Sequence, residues 1–120
     1  MPPVLKPRVM YIENKSTGLS GSARIGRVTF SKTGKSLYYQ GRRFQTLSGR
    51  GFKANYFDCE SGEHYWISGC KRNGQDRLYP GRIEIGSDVR DEYWTEIRKQ
   101  PEKRAQAVIS CLGKYGSRRE

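Results

Sequence analysis

The stretch RIGRVTFSKTGKSLYYQGRRFQTL, residues 24–47, decides the fold. From Arg27 onward its side chains alternate, with Val28 and Phe30 on one face and Arg27, Thr29 and Ser31 on the other. A period of two marks a half-buried strand. Gly26 sits where a bulge would let Ile25 join the inward face. Lys32-Thr33-Gly34-Lys35 supplies a turn whose glycine takes a positive φ. Ser36 to Leu47 then returns as a strand kinked at Gly41, with Leu37 and Tyr39 opposed to Tyr38 and Gln40. The expectation is one β-hairpin over residues 24–47 with a basic outer face.

Working outward, Arg8 to Glu13 reads as a short strand behind a proline-bearing extended tail, residues 1–7. Asn14 to Ala23 is a Gly- and Ser-rich loop, and Ser48 to Gly51 a turn. Phe52 to Cys59 and Glu63 to Cys70 are two further strands joined at Glu60-Ser61-Gly62. Asn73-Gly74 predicts a type I′ hairpin turn, since both residues tolerate left-handed backbone. It leads into Arg77 to Tyr79 and Arg82 to Ile85.

The period then lengthens to that of a helix. In DVRDEYWTEIRKQ, residues 88–100, Asp88 is the expected N-cap, and Val89, Tyr93, Trp94 and Ile97 form one apolar face. Pro101 ends it, and a second amphipathic segment is expected from Pro101 to Leu112. The fold class is therefore mainly β (α+β). It is a small bent antiparallel sheet or SH3-like barrel of five to seven short strands, followed by one or two C-terminal helices. An OB-like barrel is the alternative, but it places a helix between strands, where this sequence has none. Residues 8–100 form the single domain, and residues 101–120 a basic helical or flexible tail.

The chain has 120 residues, 23 Lys+Arg and 12 Asp+Glu, for a net charge of +11. The charge is uneven. Residues 14–57 hold nine cations and no carboxylate, whereas residues 58–100 hold nine acids against seven bases. A run of cations without local counter-ions speaks of anionic partners rather than of fold. Apolar runs are too short for a membrane span, so a cytoplasmic protein with no membrane partner is expected.

The basic hairpin carries the functional expectation. Arg24, Arg27, Lys32, Lys35, Arg42 and Arg43 would contact phosphates, and Tyr38, alternating away from Leu37 and Tyr39, is the stacking candidate. The plainer reading puts Val28, Phe30, Leu37 and Tyr39 in the core and leaves the cations as a solvated face. The expected function is a non-catalytic binding module for DNA or RNA, or for a nucleic-acid-containing assembly. The alternative is a protein-interaction or inhibitor module that recognises an acidic protein surface.

Other constellations are weaker. Cys59, His64, Cys70 and Cys111 lack the close spacing of a zinc knuckle, so free thiols and no metal are expected. Three cysteines at irregular spacing do not make a disulfide framework. His64 beside Asp58, Glu60 and Glu63 offers no defined nucleophile–base geometry, so no catalytic residue is assigned. Trp66 and Trp94 are expected to pack the terminal helix against the sheet. Ser16 to Gly21 resembles a phosphate loop but lacks its Lys-Ser/Thr ending. As a flexible loop it would let Lys15 and Arg24 close around a ligand.

The segments RVMYIENK (8–15), ARIGRVTFSKTGKSLYYQGRRFQ (23–45), GFKANYFDCESGEHYWISGCKRNGQDRLY (51–79) and DVRDEYWTEIRKQP (88–101) resemble a family of small bacterial proteins. Members often carry the transferred label 1-deoxy-D-xylulose-5-phosphate synthase. That reaction needs thiamine diphosphate and magnesium between large α/β domains, which a mostly β chain of 120 residues does not provide. The resemblance supplies no catalytic or binding residues, and neither a cofactor nor a synthase-type activity is expected.

Overall fold

The computed structural model describes residues 7–16, 22–47, 54–74, 76–77 and 81–111. Its strands are β1 (Arg8–Asn14), β2 (Ala23–Phe30), β3 (Ser36–Tyr39), β4 (Arg42–Thr46), β5 (Tyr56–Asp58), β6 (His64–Gly69), β7 (Gly81–Ile85) and β8 (Val108–Cys111). They form one sheet in the order β1-β6-β5-β4-β3-β2-β7-β8, and β1 also pairs with β2. Six antiparallel strands thus close into a barrel. β7 extends the sheet by running parallel to β2 at Arg24↔Glu84 and Ile25↔Ile85, and β8 pairs antiparallel with β7. The chain is the mainly β barrel with a C-terminal helical piece that the sequence predicts.

Two apolar layers hold it. Met10, Ile12, Val28, Leu37, Phe44 and Ile67 fill the barrel. On the other face of β1 and β2, Val9, Tyr11, Ala23 and Ile25 are covered by Ile83, Ile85, Val89, Tyr93 and Trp94. β1 and β2 are therefore buried on both faces, which explains how Ile25 and Val28 are both fully buried. No bulge is needed: the register runs unbroken from Arg8↔Val28 to Glu13↔Ala23. Gly26 serves a different purpose. The Tyr39 ring packs against its backbone, and a Cβ there would meet Tyr39 Oη at 2.8 Å.

Residues 24–47 make three strands rather than one hairpin. Gln40 (φ 52) and Gly41 (φ 77) are both left-handed, and Tyr39 pairs with Arg42 across them. Two central residues of positive φ make a type I′ turn, so the predicted kink at Gly41 is a chain reversal. At Asn73-Gly74 only Gly74 is left-handed (φ 76), and its N–H closes a turn onto the Lys71 carbonyl. That turn does not join paired strands, because β6 pairs with β1 and β5. Arg77 lies outside any strand; of the strand expected over Phe52–Cys59, β5 covers Tyr56–Asp58, and residues 52–53 lie outside the described residues.

The C-terminal helix is also shorter than its periodicity predicts. One α turn, α1 (Arg90–Glu92), runs into a π turn, Tyr93–Ile97. Val89, not Asp88, holds the N-cap position, without a side-chain cap bond. Tyr93 and Trp94 are buried side by side, edge to face at 5.2 Å. Trp94 Nε1 donates to the Gln106 carbonyl at 3.0 Å. The second predicted helix is replaced by a 3-10 turn, Pro101–Lys103, and by β8. Pairing Ile109 with Ile83 on the open edge of β7 outweighs a helical pattern that contains the β-branched pair Val108-Ile109. Residues 101–111 thus form no helical tail. The tails 1–6 and 112–120, the Ser48–Gly51 turn and most of the Ser16–Gly21 loop lie outside the described residues.

Candidate functional site

Strand alternation separates the seven residues of the predicted basic face. Arg24 of β2, Tyr39 of β3 and Arg42 of β4 turn to the barrel end beside Gln40-Gly41. There they line a cleft of about 230 Å³ with Ile12, Phe44 and Tyr65. Tyr38 and Arg43 are cross-strand partners on the outer face, and Thr29 pairs with Tyr38 on its other side. Tyr38 is 40% exposed, the one exposed large apolar side chain among the described residues. Lys32 and Lys35 occupy the turn at the opposite end of β2 and β3. Six cations on one continuous hairpin face is therefore not the geometry found. Arg24, Arg42 and Tyr39 gather at one barrel end, Tyr38 and Arg43 lie on the outer face, and the two lysines stand apart.

Three of the arginines have acidic partners supplied by residues 58–92. Arg27 Nη2 meets Glu92 at 2.9 Å and Arg27 Nε meets Asp88 at 4.0 Å. Arg24 meets Glu84 at 3.8 Å between half-exposed side chains, a geometry that contributes little. Arg42 Nε meets Asp58 Oδ2 at 3.0 Å. Asp58 is buried, and its Oδ1 accepts the Glu60 and Ser61 backbone N–H groups. Burial pushes this carboxyl up, but those N–H groups and the Arg42 guanidinium outweigh it and hold it below its ordinary value. Lys32, Lys35 and Arg43 form no ion pair among the described residues. Charge counting along the sequence finds the cations but not these partners, which arrive from remote strands and turns.

A second cleft, of about 370 Å³, opens between β3 and β7. Its origin is topological. β7 pairs with β2 at Arg24 and Ile25, and β3 pairs with the same strand at Thr29 and Phe30. Where the two neighbours diverge they leave a crevice walled by Arg24, Arg27, Gln40, Glu84, Asp88 and Arg90. No protein-family model, curated protein or solved structure matches this chain.

The sequence gives little sign of a buried polar layer behind the barrel. Glu13 is buried, accepts from the Tyr11 hydroxyl, and meets Lys15 at 3.0 Å and Arg77 at 4.0 Å. Lys15, expected to close around a ligand, is instead committed to this layer. Nearby, Asp76 accepts the Lys71 N–H at 2.8 Å, and burial pushes its carboxyl up to about 6. Burial also pushes up the Cys70 thiol, and the Tyr93 phenol to about 12. Cys59 and Cys70 are free, and His64 is exposed beside the β5–β6 turn. Among the described residues, no three His, Cys, Asp or Glu side chains gather as metal ligands, and no helix is long and apolar enough to cross a membrane.

Proposed function

We propose that this protein is a non-catalytic module that binds single-stranded nucleic acid on the outer face of β2, β3 and β4. The observation that carries this reading is the Tyr38–Arg43 pair. An exposed aromatic ring stands directly across from an arginine that has no acidic partner among the described residues. A ring face stacks on any base, and an adjacent guanidinium binds the phosphate that follows it. These three strands contain no carboxylate to repel a polyanion. Lys32 and Lys35, at the far end of the same strands, extend the attraction electrostatically.

Fluorescence anisotropy with single-stranded DNA and RNA oligonucleotides at two salt concentrations tests this. Binding at low salt that falls steeply with added salt, and that weakens in Tyr38→Ala and Arg43→Gln, is the expected result. Absence of binding to either nucleic acid at low salt removes the reading. Protein partners that survive nuclease treatment would favour an adaptor for acidic protein surfaces instead.

A further inference from the structure

The two clefts meet at one wall. The barrel-end cleft and the β3–β7 crevice share Arg24, Tyr39 and Gln40. Their chemistry differs. The barrel-end cleft is lined by Arg24 and Arg42 and by no carboxylate. The crevice sets Glu84 and Asp88 among its arginines. Guanidinium groups are suited to phosphate oxygens, whereas carboxylates accept from hydroxyl and amino donors. A ligand lying across the shared wall must be anionic at one end and rich in hydrogen-bond donors at the other. We infer that the two clefts together bind one mononucleotide. Its phosphate lies at Arg24 and Arg42, and its sugar hydroxyls and base amino group lie toward Glu84 and Asp88.

The local construction suits that ligand. Asp58 fixes Arg42 through Nε at 3.0 Å, yet the Arg42 side chain stays 43% exposed, so the outer edge of its fork is available. The Arg24–Glu84 pair, at 3.8 Å and open to water, can yield to a phosphate. Gln40 holds φ 52, a left-handed backbone uncommon outside glycine and asparagine, and its position makes it a wall of both clefts. Volumes of about 230 and 370 Å³ together reach the size of small-molecule sites. This inference goes beyond the strand-binding reading, since it uses neither Tyr38 nor Arg43. The same chemistry arrives either as a free nucleoside monophosphate or as the phosphorylated end of a strand.

Isothermal titration calorimetry of the full chain with adenosine 5′-monophosphate, adenosine and inorganic phosphate tests it. The nucleotide should bind at least tenfold more tightly than either fragment. Arg24→Gln, a change at a half-exposed side chain, should weaken that binding tenfold or more, whereas Arg43→Gln should leave it unchanged. Gln40→Gly suits the turn and preserves the fold, and it too should weaken the nucleotide. An oligonucleotide that gains affinity when 5′-phosphorylated, and loses that gain in Arg24→Gln, identifies a strand end as the source; no gain identifies the free nucleotide. The inference is overturned if phosphate binds as well as the nucleotide, or if folded Arg24→Gln and Gln40→Gly both bind like the parent. Loss of oligonucleotide binding in Tyr38→Ala with nucleotide binding intact would leave it standing alone.

Discussion

The ring of Tyr39 occupies the space that a side chain on Gly26 would fill, with Cζ 2.9 Å and Oη 2.8 Å from the position of an added Cβ. This contact sets the inner wall of the barrel end. It predicts that Gly26→Ala drives the ring outward and destabilises the fold by about 1–3 kcal/mol, the usual cost of overpacking. Urea denaturation measures the loss. In a Tyr39→Ala background the same glycine change should cost much less, because the ring it displaces is gone. Equal costs in the two backgrounds would show that the contact does not govern the site.

Tyr38 and Arg43 predict a separation of binding from stability. Both are exposed, so Tyr38→Ala and Arg43→Gln should shift unfolding by no more than about 0.5 kcal/mol. Loss of one stacking ring should weaken single-stranded oligonucleotide binding by about 1–3 kcal/mol. Arg43→Gln should lower the slope of log affinity against log salt by about 0.7, the share of one phosphate contact on a single strand. Anisotropy titrations at several salt concentrations read both effects.

Asp58 predicts an acid-sensitive rim. Its folded carboxyl lies below its ordinary value, so its contribution is complete above the unfolded pKa. That contribution fades as pH falls through the folded one. Thermal unfolding followed from pH 6 down to pH 2 should show this loss. Asp58→Ala should flatten this part of the profile and cost about 1–3 kcal/mol near neutrality, since two backbone N–H groups lose their acceptor and Arg42 its ion-pair partner.

Asp76 predicts the opposite sign. Burial raises its folded value to about 6, above the unfolded one, so the folded state holds the proton more tightly. Stability therefore declines as pH rises between the two values, and the penalty persists above pH 6 at up to about 3 kcal/mol. Asp76→Asn keeps an acceptor for the Lys71 N–H and removes the charge. It should stabilise the protein at pH 8 and have little effect below pH 4. A variant less stable than the parent at pH 8 would contradict this account.

The barrel was legible because strand alternation and glycine turns are local signals, and Val28 and Leu37 are inward where their spacing puts them. Alternation does not say how many faces of a strand are covered. Ile25 therefore pointed to a bulge, when the true cause is a second layer behind β2. The Gln40-Gly41 reversal is not legible in the sequence because glutamine is an uncommon left-handed residue. Helical spacing over residues 101–112 lost to an open sheet edge, a tertiary opportunity that no short window contains. At the site, Tyr38 was legible as exposed, but the Glu92, Glu84 and Asp58 partners of Arg27, Arg24 and Arg42 come from distant segments and were not.

The seating of β1 between β2 and β6 has a kinetic meaning. Ile12 is zipped to Arg24 on one edge and to Ile67 on the other, so the first strand waits for the sixth before the cylinder is complete. Closure over so long a stretch of sequence is slow compared with hairpin formation. Until His64–Gly69 has been synthesised, β1 can pair with β2 but its second edge has no partner, a window in which chaperones or aggregation compete with folding.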